Sequence, residues 1–343
     1  MGKRKLAQRD SFEDQPTSVL DASHITPQVE LSVGVTLKDL RNIFLLESIR
    51  QFGPQKFKDL EWANVSPVDV LDNPDRLPIK GKRGETFHSD IRALTEEVRE
   101  TCHRRAVKQI LTAHKYDAKI LTYRHPSYPR NVYDSNNPIP VLFVRGSLDV
   151  LQRPNAVACV GSRNIRAPYL HLQEMFASTA IKQNITVVSG FALGADSVSH
   201  TAALKNLGPT ICVMPSGLER PFPPENRLLW EDLLRSPHAA FVTEFSFGVR
   251  AASLTLRKRN KLIVAFAKGV LIGQSSVKGG AMNSYRFARE QHKPVATFAD
   301  DGTPDTSGNN LISEEKKPGD EIFPTDVDSP SYEQWLQRLC SST

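Results

Sequence analysis

The segment Ala-Val-Ala-Cys-Val-Gly-Ser-Arg, residues 156–163, decides the fold of this chain. Its first five residues are small or apolar and rich in valine, which is typical of a strand buried on both faces of a parallel sheet. A Gly-Ser turn then places Arg163 just beyond the carboxyl end of the strand, where open α/β sheets bind their ligands. Gly161 permits close backbone approach, Ser162 offers a hydroxyl and an amide, and Arg163 offers a forked cation. We therefore expect this turn to bind a phosphate.

Beyond residue 156, short apolar runs alternate with amphipathic stretches of helical periodicity. The apolar runs predict buried strands at residues 157–160, 186–189, 210–214, 240–243, 270–272 and 295–298. The stretches between them predict helices at residues 168–183, 196–207, 224–234, 260–267 and 281–291. Alternation at these lengths indicates an α/β fold with a Rossmann-like, doubly wound and mostly parallel sheet.

Composition sets broad limits on the function. The 343 residues suffice for about two domains, and Lys and Arg exceed Asp and Glu by 44 to 38. The resulting net charge of +6 permits a nucleic-acid partner without requiring one. The four cysteines lack C-x-x-C spacing, so we interpret them as thiols in a reducing compartment. No apolar run approaches the roughly 20 residues of a membrane span, and the polar start lacks a signal-peptide core, so we expect a cytoplasmic protein without a membrane partner.

Composition and periodicity divide the chain into four parts. A polar, basic start predicts a disordered N-terminal extension, and helical spacing from Leu37 predicts a small helical N-terminal domain. The alternating strands and helices, with their lead-in strands, form the Rossmann-like domain, and a polar tail follows. The predicted parts are residues 1–32, 33–117, 118–315 and 316–343.

Inside these parts the pattern predicts further local structure. Residues 72–88 are rich in Pro, Gly and Lys and predict a loop, and a long helix is expected at residues 89–113. Short strands are expected at residues 118–123 and 141–145. The polar tail leaves room for one short helix at residues 332–339.

The loops that follow successive parallel strands should converge on one edge of the sheet. The second such loop carries glycines and opens a helix, whose N-terminal amides attract anions. The third is a tight turn that carries a hydroxyl. These two loops add Ser189, Gly190, Gly194, Ser216 and Gly217 to Gly161, Ser162 and Arg163 as candidate phosphate-binding residues.

Asp196 and His200 lie one helical turn apart on the helix predicted after the second loop. We interpret Asp196 as the helix N-cap and the two side chains as a structural hydrogen-bonded pair. A catalytic or metal-binding role is the less favoured alternative, because no further ligands are spaced to complete a metal site.

Four cations crowd the predicted start of the helix at residues 260–267. Cations are unfavourable at a helix N-terminus, so the cluster costs stability unless an anion lies in front of it. A solvated charge run is the alternative, but the position at the ligand edge favours anion binding. The fifth loop again opens a helix with glycines. These two regions add Arg257, Arg259, Asn260, Lys261, Lys278, Gly279 and Gly280 to the candidate site.

The sequence contains neither a G-x-G-x-x-G fingerprint nor a Walker motif, which points away from a dinucleotide or ATP. Several phosphate-suited loops on one edge instead suit a backbone of successive phosphates. We therefore expect no cofactor, no metal and no catalytic residues.

The order of these motifs resembles the DNA-processing protein A (DprA/Smf) family, over about residues 37–312. The matching motifs are Val-Gly-Ser-Arg at 160–163, Val-Ser-Gly-Phe-Ala-Leu-Gly-Ala-Asp at 188–196, Pro-Ser-Gly-Leu at 215–218, Thr-Glu-Phe at 243–245, Arg-Asn-Lys at 259–261 and Lys-Gly-Gly at 278–280. The resemblance implies a non-enzymatic protein that binds single-stranded DNA through its backbone, protects it, dimerises and helps load RecA recombinase in DNA uptake or recombination. It also implies that residues 161–163 and 259–261 line the DNA groove.

The sequence departs from the family pattern at two positions. Leu193 stands where the family usually has arginine, which should weaken DNA contact. Gln274 stands where an acidic residue usually ends the fifth strand, which argues against nucleotide hydrolysis. We also expect no room after Ile312 for the winged-helix domain that many members carry, so the chain resembles a divergent or accessory member.

Two alternative functions remain open at this stage. One is a nucleotide-cleaving enzyme similar to phosphoribohydrolases, for which Glu219 and Glu244 are the available carboxylates. The other is a nucleotide or metabolite sensor in a defence system, in which the same edge holds a small ligand.

Overall fold

The computed structural model describes residues 21–135, 138–326 and 332–341. Within these residues, nine strands form a single sheet in the order β1-β2-β6-β5-β4-β3-β7-β8-β9. The strands are β1 Ala118–Thr122, β2 Val141–Gly146, β3 Ala156–Val160, β4 Thr186–Ser189, β5 Thr210–Val213, β6 Ala239–Thr243, β7 Gly269–Ile272, β8 Val295–Phe298 and β9 Glu321–Phe323. The seven strands from β6 to β9 in this order run parallel, and β1 and β2 add an antiparallel edge. The predicted α/β, mostly parallel, doubly wound sheet is confirmed.

Helices cover both faces of the sheet. They are α1 Pro27–Val33, α2 Leu37–Ser48, α3 Pro54–Trp62, α4 Pro67–Asp72, α5 Gly81–Arg92, α6 Glu96–Lys115, α7 Arg130–Asp134, α8 Tyr169–Lys182, α9 Ala195–Lys205, α10 Arg227–Arg235, α11 Ser253–Phe266, α12 Ala281–Glu290, α13 Ser307–Glu314 and α14 Tyr332–Ser341. Alternate residues of β3 point to opposite faces: Val157 and Cys159 pack with α8, α9 and α14, while Ala158 and Val160 pack with α11 and α12. Burial on both faces explains why β3 is uniformly apolar.

The N-terminal helices share a hydrophobic core with one end of the sheet. Ile110 of α6 belongs to the same buried cluster as Phe143 of β2, Phe241 of β6 and Trp230 of α10. This packing joins the region that we predicted as a separate helical domain directly to the antiparallel edge of the sheet.

Three local predictions in the N-terminal region were wrong. Helix α1 begins inside the predicted extension at residues 1–32, and residues 1–20 fall outside the described part of the chain. Helix α5 begins inside the predicted loop at residues 72–88, where Gly84 packs against the Ile79 carbonyl. The predicted single helix at residues 89–113 is divided, because Thr95 caps the start of α6 by accepting a hydrogen bond from the Val98 amide.

The region predicted as a polar C-terminal tail contributes to the core. Phe323 of β9 and Trp335 of α14 are fully buried, and Trp335 lies 6.0 Å from Phe176 of α8 between ring centroids. The predicted short helix at residues 332–339 is confirmed as α14. Its apolar side chains recur at helical spacing, whereas the polar residues between them dominated the composition of the segment.

Candidate functional site

A cleft of about 560 Å³ opens at the point where the strand order reverses. The chain winds from β3 outward to β6 in one direction, and β7 then returns to the other side of β3. The loops that follow β3 and β7 therefore diverge from each other at the carboxyl ends of these strands. They leave a crevice between them, as in other doubly wound sheets. Gly161, Ser162 and Arg163 line it from one side, and Ser275 and Ser276 from the other.

Three helices present their first turns to this cleft. The lining residues include Asp196 of α9, Ser253 and Leu256 of α11, and Ala281 and Ser284 of α12. Each of these helices has at least ten residues, so each carries a partial positive charge at its N-terminal end. The cleft therefore attracts anions before any side-chain charge is considered.

Arg259 lies at the floor of the cleft and is only 5% exposed. Its guanidinium donates hydrogen bonds to the carbonyl oxygens of Gly190 and Val213, the latter at 2.9 Å. Its Nε has no hydrogen-bond partner among the described residues. Burial lowers the pKa of Arg259 to about 10, against the opposing effect of the Asp196 carboxylate. The arginine thus remains a cation and has unused hydrogen-bonding capacity.

The Asp196 carboxylate compensates Arg259 inside the fold. Burial raises the pKa of Asp196, whereas Arg259 and a hydrogen bond from the Ala192 amide at 3.2 Å oppose that rise. Asp196 is the second residue of α9 and makes no N-cap hydrogen bond, so its prediction as a helix cap was wrong. His200 does not pair with it: its Nδ1 contacts the Thr210 hydroxyl at 2.7 Å, and burial lowers its pKa to about 3.

Two further cations lie at the mouth of the cleft. Arg163 and Arg257 are exposed, and neither forms an ion pair with a carboxylate of the described residues. Asp305 is the second carboxylate of the lining, and it lies 3.8 Å from the Nε of Arg166. Cationic groups therefore outnumber anionic groups around the opening.

The predicted glycines bring protein segments together and, with one exception, do not leave space for a ligand. A Cβ at Gly161 would lie 2.7 Å from that of Ala195, and one at Gly190 would overlap the Arg259 guanidinium. Gly194 has a φ of +75°, and a Cβ there would lie 2.4 Å from the carbonyl oxygens of Ser162 and Arg163. Gly280 is the exception, since a Cβ there would meet no other part of the protein within 4 Å.

The structure separates the fifteen predicted site residues into groups. Eight of them line the cleft: Gly161, Ser162, Arg163, Arg257, Arg259, Asn260, Gly279 and Gly280. Gly190 lines a smaller adjoining pocket with Arg163 and Arg259. Gly194 packs closely against the backbone of the loop that carries Arg163. The amide of Ser162 is already donated to the Gln274 carbonyl at 2.7 Å, so only its hydroxyl remains for a ligand.

The other five predicted residues do not line the cleft. Ser189 is fully buried and donates to the Cys159 carbonyl at 2.6 Å. Ser216 and Gly217 are buried in a separate turn. Lys261 lies over the Phe287 ring at 5.1 Å, and Lys278 is exposed on the loop that carries Gly279.

The cation cluster does not start a helix as predicted. Helix α11 begins at Ser253, so Arg257 and Arg259 lie in its second turn, and the argument from an unfavourable helix dipole was wrong. The turn of the helix divides the cluster: Arg257, Arg259 and Asn260 reach the cleft, whereas Lys258 and Lys261 face Glu244. Their charges help to hold down the pKa of that buried carboxyl, which burial raises.

Several polar residues line the cleft although we did not predict them as phosphate-binding residues. They are Asp196, Ser253, Ser275, Ser276, Asn283, Ser284 and Asp305. Ser275 and Ser276 follow directly after Gln274, so their place after the fifth strand was a usable signal. Leu193 is 37% exposed at the adjoining pocket, and Gln274 is fully buried with its side-chain oxygen accepting from the Arg166 amide.

Comparisons with known proteins relate the chain to one family. The family described as DNA recombination-mediator protein A matches residues 119–318. Protein Smf of Synechocystis is 29% identical over 191 residues, which are 54% of this chain and 48% of the relative. The chain thus spans about half the length of that curated relative.

Two solved structures share the fold. DNA processing protein A from Streptococcus pneumoniae superposes with a TM-score of 0.65 at 22% identity, over 89% of this chain and 98% of that one. DNA processing protein A from Helicobacter pylori, studied for its single-stranded DNA binding mode, has a TM-score of 0.56 at 21% identity, over 66% of this chain and 96% of that one.

Proposed function

Because the chain belongs to the DNA recombination-mediator protein A family, we propose that it binds single-stranded DNA through the phosphate backbone at the switch-point cleft. The observation that carries this proposal is the convergence of Arg163, Arg257 and Arg259 with three helix N-termini on one opening. Such a surface neutralises phosphates without reading base edges, so it gives salt-dependent affinity that is largely independent of sequence. The description of the family and the single-stranded DNA binding of the Helicobacter pylori protein support DNA, rather than another polyanion, as the partner.

A salt titration of binding to a fluorescent oligonucleotide tests the proposal. Each phosphate contact on a single strand contributes about 0.7 to the slope of log affinity against log salt. The double variant Arg163→Ala/Arg257→Ala should therefore bind more weakly and lose about 1.4 from that slope. Both side chains are exposed, so the fold should tolerate their truncation.

A matched control removes the same charge elsewhere. Arg104 and Arg130 are 66% and 78% exposed, pair with carboxylates on their own helices and lie outside the cleft lining. The variant Arg104→Ala/Arg130→Ala should retain the wild-type slope. Equal slopes for the two double variants would reject the cleft as the DNA site, and no binding at low salt would reject the function.

We also propose that the protein is not an enzyme. Glu219 accepts a hydrogen bond from the Gly248 amide at 3.1 Å, Glu244 faces two lysines, and neither carboxylate lines the cleft. The Asp196 carboxylate is 5% exposed and accepts a hydrogen bond from the Ala192 amide, so little of it is open to a substrate. Incubation with nucleoside monophosphates followed by chromatography should leave them intact, and a released base would contradict the proposal.

The family supports a wider role in which a dimer protects the strand and loads cytoplasmic RecA recombinase onto it. RecA ATPase activity on DNA coated with single-strand binding protein should rise when this protein is added. Light scattering should give twice the chain mass. A monomer, or an unchanged RecA rate with DNA binding intact, would limit the proposal to DNA binding alone.

None of the helices in the described ranges combines the length and apolar character that crossing a bilayer requires.

A further inference from the structure

Arg163 lies on a short loop between β3 and α8 and is exposed at the mouth of the cleft. An arginine on a mobile loop would lose conformational freedom when it binds a phosphate, and that loss weakens binding. The contacts that fix this loop before a ligand arrives therefore affect the affinity of the cleft.

The start of the loop is fixed by main-chain contacts. The Ser162 amide donates to the Gln274 carbonyl at 2.7 Å, and the Ser162 carbonyl accepts from the Ala195 amide at 3.1 Å. The first of these bonds extends the pairing of β3 with β7, in which the Gly273 amide donates to the Val160 carbonyl at 2.8 Å. These bonds join backbone atoms, so they do not depend on the identity of any side chain.

The end of the loop is fixed by one buried side chain. The side-chain oxygen of Gln274 accepts a hydrogen bond from the Arg166 amide at 2.9 Å. Apart from the first turn of α8, this is the only hydrogen bond in the described part of the chain that joins the backbone of residues 163–166 to another element. Gln274 is 0% exposed, so water does not compete for this bond. Gln274 thus holds the loop on both sides of Arg163, by its main chain at Ser162 and by its side chain at Arg166.

The side chain of Arg166 strengthens the second of these anchors. Its guanidinium donates to the Asp301 carboxylate and to the Thr303 hydroxyl, both at 2.7 Å. Asp301 is held in turn by the Thr306 hydroxyl at 2.7 Å and by the Thr303 amide at 3.2 Å. These partners lie in the turn after β8, so Arg166 is attached to the segments that follow two neighbouring strands, β7 and β8.

We infer that Gln274 is a positioning residue for DNA binding. By holding the Arg166 amide it fixes the loop from which Arg163 reaches the cleft, although Gln274 itself does not line the cleft. A loop that is ordered before binding need not be ordered by the strand, which raises the affinity. The Gln274 amide is also uncharged, so it holds the loop without placing a carboxylate beside Arg163. The effect on DNA rests on the proposed function, whereas the fixing of the loop does not.

The substitution Gln274→Met tests the inference. Methionine is similar in length and fills the buried space, but it has no strong acceptor for the Arg166 amide. Affinity for a fluorescent oligonucleotide should fall about tenfold, the effect of losing a hydrogen bond to a charged group. The slope of log affinity against log salt should lose about 0.7, the contribution of one phosphate contact. Gln274→Asn is too short by one methylene to reach Arg166, so it should give the same two changes and decides the matter if the methionine variant does not fold.

A double-variant cycle separates positioning from a general loss of structure. In an Arg163→Ala background the side chain that Gln274 positions is absent, so Gln274→Met should cause little further loss of DNA affinity. A substitution that merely weakens the fold would lower the affinity by the same factor in both backgrounds. Hydrogen exchange measured by mass spectrometry follows the loop directly, and residues 163–167 should exchange faster in both Gln274 variants than in the wild type.

Gln173→Met is the matched control. Gln173 is also 0% exposed and uses only one end of its amide: its nitrogen donates to the Ser199 hydroxyl at 2.9 Å, and its oxygen has no partner among the described residues. It lies on α8 outside the cleft lining. This variant should therefore keep the wild-type affinity, salt slope and exchange of residues 163–167.

Three results would overturn the inference: wild-type affinity and slope in a folded Gln274 variant, equal losses with and without Arg163, or the same loss in Gln173→Met. In each case DNA binding by the wild type leaves the proposed function standing. If the wild type does not bind DNA, the proposed function fails, and hydrogen exchange alone then tests whether Gln274 fixes the loop. Unchanged exchange in both Gln274 variants would reject that part as well.

Discussion

The substitution Arg259→Met tests whether this buried arginine holds the cleft together. It removes a guanidinium that bonds the carbonyl oxygens of Gly190 and Val213 and faces Asp196. Methionine matches the length of the aliphatic stem, so packing changes little. What remains is a carboxylate that is 5% exposed and has lost its cation.

Leaving a buried polar group without its hydrogen-bond partner costs about 1 to 3 kcal/mol. We expect at least this loss for Arg259→Met, because the variant leaves two carbonyl groups without their donor and takes a favourable charge away from Asp196. Substitution of the exposed Lys258 by Met on the same helix should cost less than about 0.5 kcal/mol. Changing Asp196 to Asn in the Arg259→Met background should recover about 0.5 to 3 kcal/mol, since the stranded charge is then gone.

The loss should depend on pH in a defined direction. Burial already raises the pKa of Asp196, and removal of Arg259 raises it further. The folded variant then holds a proton that the unfolded chain releases near pH 4, so its stability falls as the pH rises above that value. Urea unfolding followed by circular dichroism should therefore show a smaller loss at pH 5 than at pH 8. Equal losses at both pH values, or a double variant as unstable as the sum of the single ones, would refute the reasoning.

Two further substitutions test the supports of the cleft and of the sheet. Gly194→Ala places a Cβ 2.4 Å from two carbonyl oxygens, at a residue whose φ is +75°. This substitution should lower the free energy of unfolding by more than about 1 kcal/mol. It should also weaken DNA binding, because it displaces the Arg163 loop. Gly280→Ala has open space and should leave the urea midpoint nearly unchanged; a similar loss in both variants would contradict the steric argument. Trp335→Ala should lower the free energy of unfolding by about 3 to 5 kcal/mol in the same assay, because the ring is fully buried. The control Gln334→Ala changes an exposed side chain and should leave the stability unchanged. A stable Trp335 variant would mean that α14 is not part of the core.

Much of the sheet was predictable because parallel strands buried on both faces must be apolar along their whole length. The predicted strands at residues 186–189 and 295–298 match β4 and β8 residue for residue. The start of α11 was missed because its basic residues interrupt the apolar periodicity. Gly81 and Gly84 led to the wrong prediction of a loop at residues 72–88. Gly81 instead begins α5, and Gly84 packs inside that helix.

The sequence predicted which loops form the candidate site, but it did not predict which side chains of those loops face the ligand. Chain direction alone requires the loops after β3 and β7 to meet at one edge, so Arg163 and Gly280 were found. Which atoms face the ligand depends on neighbours that are distant in sequence. Gly190 supplies space for Arg259, and Ser189 turns inward to bond β3, and neither fact is visible in local spacing.

The succession of strands and helices along the chain, and the sheet edge at which polar loops gather, follow from the amino-acid sequence, because burial periodicity and the direction of parallel strands are local properties. Only the folded arrangement shows that Arg259 is buried against the carbonyl oxygens of Gly190 and Val213, while Lys258 and Lys261 on the same helix lie toward Glu244. The rotation of a helix about its axis is set by the total packing of its apolar face. A run of adjacent cations therefore cannot reveal which of them face the cleft.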